Sequence, residues 1–348
     1  MGGGLQAAGG QDQDRRALSG GGRGASGRRN SDGGALGTAG GPAIGAGPCF
    51  GLPVQPGGYA WWYVDALSDD GRLGLTLIAF IGSVFSPYYA WARRHGSGDP
   101  TNHIGLNVAL YGPRKRWALT EHGRTRLDRG ADWLRIGPSA LEWDGAILTI
   151  RIDEITVPIP RRLRGTVRVR PSAIEADVHT LDAQGRHRWS PIAPSARVEV
   201  ALDAPALHWS GPGYLDSNEG DRPLEDDFVR WDWSRAHAPS ATTVLYDATR
   251  RDGTRACLAL RYRDTGGLEI LPPPPELPLP ATKWRVARAT RAEQPTFVVR
   301  TLEDTPFYAR SVLSAQDGNA VHESLSLDRF RAPWVQAMLP FRMPRAWR

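Results

Sequence analysis

Short apolar segments of strand length, separated by turn signals, recur along this chain and restrict it to an all-β fold. Residues 74–80, 103–111 and 256–262 are examples, and residues 164–170 alternate polar and apolar side chains as a half-buried strand does. Asp-Gly pairs are strong hairpin signals, and they stand at residues 70–71, 144–145, 252–253 and 317–318. The pattern predicts antiparallel strands joined by hairpins, with one or two helical turns expected at residues 86–94.

Length and composition indicate two folded parts preceded by a leader. The first 50 residues hold 17 of the 40 glycines. Such a segment buries too little apolar surface to offset its ordering entropy, so residues 1–50 are predicted to be disordered. Because 348 residues exceed one typical domain, we expect two tandem β-barrels or sandwiches, at residues 51–215 and 216–348.

The charge pattern gives no sign of a nucleic-acid surface. Lysine and arginine number 43 against 37 acidic residues, a net charge of +6, and the basic residues are dispersed. The acidic run at residues 225–227 is predicted to lie in a solvated loop. The longest apolar run, residues 73–85, is shorter than the roughly 20 residues that a spanning helix needs. With Cys49 and Cys257 as its two cysteines, the chain suits a reducing compartment. These features favour a soluble or membrane-peripheral protein without a nucleic-acid partner.

Imidazole, carboxyl and aromatic side chains are concentrated between residues 187 and 247. They are His187, Trp189, Tyr214, Asp216, Trp231, Trp233 and Tyr246. Aromatic faces attract cations and a buried carboxylic acid keeps its proton, so this combination suits the formation and shelter of a carbocation. The sequence shows no zinc-spaced ligand set, phosphate-binding loop or nucleophile motif, and neither a cofactor nor a metal is predicted. Trp231 and Trp233 alternate at strand spacing, which equally suits core packing.

The segments Tyr214-Leu215-Asp216 and Arg230-Trp231-Asp232-Trp233, with residues 57–65 and 187–191, resemble the carotenoid 1,2-hydratases, also called hydroxyneurosporene synthases. The resemblance covers about residues 50–345. It implies two tandem lipocalin-like antiparallel β-barrels. It also implies cofactor-independent hydration of the terminal C1=C2 double bond of acyclic carotenoids such as neurosporene or lycopene. The family's functional set matches His187, Trp189, Tyr214 and Asp216, and we expect Trp231, Trp233 and Tyr246 to bind the substrate.

In such a hydration an acid protonates C2, a tertiary cation forms at C1, and water adds to that cation. We assign the acid to Asp216, whose burial would raise its pKa. Trp189 and Tyr214 are assigned to the cation, and His187 to the water and its proton. The reverse scheme, with a His187 imidazolium as donor and Asp216 as base, stays open. So do a non-catalytic lipocalin-like carotenoid or lipid carrier and another cofactor-free reaction on the same scaffold.

An acyclic carotenoid is too apolar for free solution, so we expect a peripheral protein at the cytoplasmic face of the inner or photosynthetic membrane. The C-terminal segment combines apolar side chains with arginines, namely Trp334, Leu339, Phe341, Met343 and Trp347 with Arg342, Arg345 and Arg348. It is predicted either to face the membrane or to form a terminal strand that seals the second barrel.

Overall fold

Antiparallel β-strands make up most of the structure, which confirms the predicted all-β class. The computed structural model describes residues 47–315 and 318–346. The predicted leader therefore lies outside the described residues, apart from residues 47–50. The strands are β1 (Tyr59–Leu67), β2 (Gly74–Ile81), β3 (Ile104–Tyr111), β4 (Arg116–Ala118), β5 (Leu127–Arg129), β6 (Trp133–Ile136), β7 (Ser139–Trp143), β8 (Leu148–Ile155), β9 (Arg162–Pro171), β10 (His179–Thr180), β11 (His187–Ala204), β12 (Ala206–Gly220), β13 (Phe228–Ala238), β14 (Ala241–Arg250), β15 (Arg255–Arg263), β16 (Leu268–Ile270), β17 (Glu276–Leu279), β18 (Arg288–Arg291), β19 (Val298–Asp304), β20 (Tyr308–Ala315) and β21 (Gly318–Ser326).

The described strands form two large sheets and one small pair. The first sheet has the order β4-β3-β2-β1-β12-β11-β9-β8-β7-β6-β5, with β10 paired to β11. The second has the order β16-β15-β14-β13-β21-β20-β19, and β17 pairs with β18. Most neighbours are hairpins, as the Asp-Gly turns predict. Each sheet also brings an early strand beside a late one, because β1 pairs with β12 and β13 pairs with β21.

Helices are short in the described part of the chain. They are α1 (Pro87–Arg94), α2 (Leu224–Asp227), α3 (Leu327–Arg331) and α4 (Pro333–Met338), with 3-10 turns at Pro100–Asn102, Arg124–Arg126 and Leu339–Phe341. The helical turns expected at residues 86–94 are confirmed by α1, which begins with Pro87 and is capped by the Ser86 hydroxyl. Within the described residues, no helix has both the length and the apolar character needed to cross a bilayer.

The C-terminal segment is helical, so the predicted terminal strand is wrong. The buried apolar residues Leu327, Phe330, Val335, Leu339 and Met343 recur every three to five positions, the spacing of a helix face rather than of a strand. Pro333 and Pro340 each fall in the first turn of a helix, a position that tolerates proline.

Strand β1 lies between two apolar interiors and is buried along its whole length. Its even-numbered residues, such as Trp62, point into the space enclosed by the curled first sheet. We call this space the first interior; it also contains Leu77, Ile150, Val198 and Leu215. Its odd-numbered residues point towards the second sheet. That second space, the inter-sheet core, contains Tyr59, Trp61, Tyr63, Trp189, Tyr214, Trp231, Trp233 and Tyr246.

Residues 221–227 connect the two sheets along the chain. The last strand of the first sheet, β12, ends at Gly220, and the first strand of the second sheet, β13, begins at Phe228. The predicted domain boundary between residues 215 and 216 falls inside β12. The division into separate domains at 51–215 and 216–348 stays a prediction. Between β9 and β11, only His179 and Thr180 form a strand, the short β10, which pairs with β11.

Candidate active site between the two sheets

Asp216 lies on β12 with its carboxyl in the inter-sheet core, where the side chain is 5% exposed. The Trp189 indole N–H donates to Asp216 Oδ2 at 2.8 Å, and the Tyr214 hydroxyl donates to the same oxygen at 2.9 Å. Asp216 Oδ1 is buried and has no hydrogen-bond partner among the described residues. The structure thus brings together three of the four side chains predicted to act in catalysis.

Strand register explains why these three side chains meet. Tyr214 and Asp216 are two residues apart on β12 and share a face. Trp189 on β11 stands opposite Asn218, so its long side chain reaches diagonally to Asp216. Beyond Trp189 the β11–β12 register shifts twice, at Pro191 and Pro194, which have no N–H to donate to a neighbouring strand.

The surroundings of Asp216 favour its protonated form. Burial raises its pKa from the ordinary 3.8 to about 8, and the hydrogen bonds from Trp189 and Tyr214 lower that pKa only in part. Both donors are neutral, so they compensate an ionised carboxylate less than a guanidinium would. At neutral pH the carboxyl is mainly protonated, and the unpartnered Oδ1 is the oxygen free to carry the proton.

Aromatic rings surround this acid from both sheets. Tyr214 lies 5.1 Å from Trp233 and 6.1 Å from Tyr63, and Trp189 lies 5.1 Å from Tyr246, measured between ring centroids. Tyr246 in turn lies 5.9 Å from Trp231. The residues predicted to bind substrate on β13 and β14 therefore belong to the same cluster as Asp216, and such π-faces attract a nearby cation.

A cavity of about 270 Å³ adjoins this cluster. Tyr63, the cross-strand partner of Asp216 on β1, lines its wall together with Trp61 and Trp231. The remaining members of the cluster lie behind that wall and do not line the cavity, namely Trp189, Tyr214, Asp216, Trp233 and Tyr246. The outer part of the cavity is lined by Trp284 and by residues of the C-terminal helices, including Met338 and Leu339. Since small-molecule pockets usually measure about 300–1,000 Å³, the space suits one end of an elongated apolar molecule.

His187 is fully buried but is bonded away from Asp216. The Tyr59 hydroxyl lies 2.9 Å from His187 Nδ1, and Asp227 Oδ2 lies 2.8 Å from Nε2. Because an ionised carboxylate only accepts hydrogen bonds, Nε2 carries the proton and Nδ1 accepts from Tyr59. His187 stands opposite Gly220 on β12, four positions from Asp216, which is roughly 13 Å along a strand.

The packing around His187 leaves little space. A Cβ atom at Gly220 would lie 2.8 Å from His187 Nδ1, so only glycine fits beside the imidazole. Burial lowers the pKa of His187, and the hydrogen bond to Asp227 partly opposes this. The imidazole therefore connects β11 to β1 and α2, and its assigned role in activating water stays a prediction.

Sequence reasoning missed a buried charged network beside the cavity. Arg310 pairs with both Glu323 and Asp65, and Arg235 also donates to Asp65. The Tyr63 hydroxyl donates to Glu323 Oε1 at 2.8 Å. These residues come from β1, β13, β20 and β21, and their separation in the chain concealed the cluster. An arginine on an otherwise apolar strand, as at Arg310, was the available signal.

The solvated loop predicted at residues 225–227 is wrong. This segment lies within α2, and Asp227 accepts hydrogen bonds from His187 and Arg186. Glu225 is mostly buried and pairs with Arg93 at 2.7 Å. A helical turn directs the two carboxylates towards the protein rather than along an extended chain. Across residues 47–315 and 318–346, no group of three or more His, Cys, Asp or Glu side chains is arranged to hold a metal ion.

Two solved structures share the fold at low sequence identity. A provisionally named AttH protein from Nitrosomonas europaea matches with a TM-score of 0.54 and 14% identity, over 84% of this chain and 98% of its own. Kievitone hydratase from Nectria haematococca matches with a TM-score of 0.51 and 11% identity, over 81% and 98%. These likenesses support the tandem lipocalin-like architecture and nothing further.

Sequence comparisons are more specific. Residues 77–348 match the family model described as "Carotenoid hydratase CrtC". The acyclic carotenoid 1,2-hydratase of Thiocapsa roseopersicina is 59% identical over 96% of this chain and 84% of its own length. The enzyme of the same name from Rubrivivax gelatinosus is 54% identical over 86% and 76%. With a family model that spans most of the chain and two extensive matches of this kind, the protein belongs to the carotenoid hydratase family.

Proposed function

We propose that this protein adds water across the terminal C1=C2 double bond of an acyclic carotenoid and releases a tertiary alcohol. Its relatives carry the name acyclic carotenoid 1,2-hydratase. The observation that carries the mechanism is the protonated carboxyl of Asp216, buried among aromatic rings and separated from an apolar cavity by Tyr63, its cross-strand partner. Addition of water changes no oxidation state overall, so the proposal needs no redox cofactor.

Asp216 acts as the general acid. Its O–H bond breaks as the proton passes to C2, and the electron pair of the double bond forms the new C–H bond. The positive charge then resides at C1, a tertiary carbon. Trp61, Tyr63 and Trp231 line the cavity and offer π-faces, each worth roughly 0.5–2 kcal/mol to a cation within about 6 Å. To reach Asp216, the alkene enters beside Tyr63.

Water completes the reaction by forming the C1–O bond and losing one proton to a base. Trp189 and Tyr214 hold the acid in place through their hydrogen bonds to Oδ2. His187 helps to position the cavity wall. Its partner Tyr59 stacks on Trp61, which lines the cavity, with 4.9 Å between the ring centroids. A positioned acid or a positioned base each raises the rate by about 10²–10⁴-fold. One acid together with one base therefore gives a usable rate.

The preferred substrate is taken to be a polyene such as lycopene or neurosporene, drawn from a bilayer. The cavity accommodates only one end of such a molecule, so the rest extends through its outer opening. Around that opening stand the exposed side chains of Trp284, Trp334, Met338 and Phe341, the last 79% exposed. The rings of Trp284 and Trp334 stack at 6.2 Å.

We propose a peripheral position at the cytoplasmic face of the inner or photosynthetic membrane, and this apolar surface supports the contact with a bilayer. Apolar side chains at the opening would enter the headgroup region, as exposed Trp and Phe do at interfaces. Of the predicted C-terminal set, Trp334 and Phe341 are exposed, whereas Leu339 and Met343 form the cavity wall. Trp347 and Arg348 lie outside the described residues.

The hydration is tested with purified protein and lycopene in vesicles, without added cofactor. Mass spectrometry should find a product heavier by one water. Retention of lycopene without such a product would instead favour a carrier. In the same system, the double variant Trp334→Ala/Phe341→Ala should bind vesicles more weakly than the parent. Ile270→Ala is the matched control, because Ile270 is equally apolar and 77% exposed but lies on edge strand β16.

A further inference from the structure

Two carboxyl groups face the inter-sheet core from opposite sheets. Asp216 belongs to β12 of the first sheet, and Glu323 belongs to β21 of the second. Glu323 lines the cavity. Tyr63 lies between them, since it is the cross-strand partner of Asp216 and its hydroxyl donates to Glu323 Oε1 at 2.8 Å. The two groups are therefore neighbours across one tyrosine.

Their surroundings differ in charge. Asp216 receives hydrogen bonds from the neutral donors Trp189 and Tyr214 only, within the described residues. Glu323 is paired with the Arg310 guanidinium. The surrounding network holds two carboxylates, Asp65 and Glu323, and two guanidiniums, Arg235 and Arg310, so an ionised Glu323 is electrically compensated.

Burial raises the pKa of both carboxyl groups, and the groups that oppose this rise are neutral donors at Asp216 and include a guanidinium at Glu323. Burial raises the pKa of Glu323, and the nearby Arg310 acts against that rise. The negative charge on Glu323 is in turn among the influences that raise the pKa of Asp216. A carboxyl with neutral donors beside a second carboxyl paired with a guanidinium is an arrangement suited to acid–base catalysis.

We propose that Glu323 orients the attacking water and accepts its proton, while Asp216 protonates the alkene. This inference rests on the proposed hydration. Asp216 gives its proton to C2; water forms the C1–O bond and its O–H bond breaks; the released proton goes to a carboxylate oxygen of Glu323. After the alcohol leaves, Glu323 loses a proton to bulk water and Asp216 takes one up, which restores both groups.

The other polar groups near the cavity are less suited to this step. His187 has both ring nitrogens engaged by Tyr59 and Asp227. Glu303 also lines the cavity, but it lies on edge strand β19 and accepts a hydrogen bond from the Tyr111 hydroxyl at 2.9 Å. Glu154 serves as the control, because it is a buried carboxyl that accepts a hydrogen bond from Ser139 and does not line the cavity.

Deuterium oxide separates protonation from water capture. In D2O, Asp216 delivers deuterium to C2; if no base activates water, the cation returns a proton or deuteron from C2 to Asp216. Recovered lycopene then carries deuterium although no alcohol forms. For Glu323→Gln we expect alcohol formation to fall about 10²-fold or more, with deuterium still entering the recovered lycopene. Asp216→Asn should lose both reactions, and Glu154→Gln should stay within about twofold of the parent in both.

Two results would overturn the inference: alcohol formation by Glu323→Gln within about tenfold of the parent, or loss of deuterium exchange together with hydration in the folded variant. Circular dichroism and thermal unfolding establish the folded state. If Glu323→Gln fails to fold, Glu323→Asp tests the inference instead. Its shorter side chain keeps the charge beside Arg310 but moves the carboxylate away from the attacking water. That variant should likewise lose alcohol formation and keep exchange. If the parent protein itself formed no alcohol, the proposed hydration would be refuted. That outcome differs from failure of the Glu323 proposal, in which the parent protein still forms alcohol.

Discussion

The two interiors that share strand β1 are built from different side chains. The first interior is mainly aliphatic, with residues such as Leu77 and Ile150, and the buried carboxyl of Glu154 faces it, with a pKa that burial raises to about 8. The inter-sheet core is aromatic and polar, and it holds Asp216 with a pKa raised to a similar value. Burial of an acid alone therefore does not define a catalytic site. What distinguishes Asp216 is that several aromatic rings surround it and that its cross-strand partner Tyr63 lines an open cavity.

The largest difference between the interiors should appear when each buried acid is replaced by its amide. Asp216→Asn keeps the shape of the side chain but removes the transferable proton, so hydration should fall by about 10²–10⁴-fold or more. Glu154→Gln should leave the rate within about twofold, because Glu154 bonds Ser139 at 2.7 Å and faces the first interior. The rate of alcohol formation from lycopene measures both. Comparable losses in the two variants would mean that the acid has been misassigned.

A second contrast concerns packing and uses adjacent residues of β2. Leu77 is 1% exposed in the first interior, whereas Ile78 lines the cavity. Leu77→Ala leaves a new void and should lower the free energy of unfolding by about 2–5 kcal/mol. Ile78→Ala enlarges an existing space, so its loss should fall below that range and its effect should appear mainly in KM. Denaturant unfolding and steady-state kinetics would separate the two effects; equal destabilisation would contradict the described packing.

The pH dependence follows from the raised pKa of Asp216. Because the protonated carboxyl is the active form, the rate should fall about tenfold for each pH unit above about 8. The native pKa lies above the ordinary 3.8. The native protein therefore holds a proton that the unfolded chain releases, and the free energy of unfolding should decline as the pH rises from about 4 to about 8. Asp216→Asn should make this decline shallower, and so should Glu154→Gln. The hydration rate measured against pH tests the first prediction, and the free energy of unfolding measured against pH tests the second.

The smallest expected effect compares tryptophans of the two interiors. Trp231→Phe keeps a ring on the cavity wall but weakens the attraction to a cation by about 0.5–1 kcal/mol, which is roughly two- to fivefold in rate. Trp62→Phe, in the first interior and 2% exposed, should reduce stability and leave the rate per folded molecule unchanged. If Trp62→Phe proved the slower enzyme, the inter-sheet core would not be where the cation forms.

Much of the site could be predicted from local sequence, and the reason is strand geometry. Tyr214 and Asp216 share a face because they are two residues apart, and Trp231 and Trp233 do so for the same reason. The contact between Trp189 and Asp216 was suggested by the family resemblance, and the β11–β12 register accounts for it. His187 illustrates the limit. The same resemblance placed it in the functional set, but register sets it opposite Gly220, where Tyr59 and Asp227 occupy both nitrogens.

The helical C-terminal segment shows a different limit. Its aromatic and arginine content suggested a surface or a strand, but the spacing of Leu327, Phe330 and Val335 is helical. Composition is a poor guide to secondary structure in a segment this short, because apolar residues serve equally in strands and in helix faces.

By itself, the sequence determined the all-β class, the hairpin turns and the pairing of an acid with aromatic side chains, since all of these depend on residues close together in the chain. Tertiary structure alone decided that β1 would be buried on both faces, that the cavity would lie between the sheets rather than inside the first one, and that Glu323 would meet Tyr63. Those features depend on pairings such as β1 with β12 and β13 with β21. The pairings join distant parts of the chain, and no local pattern encodes them.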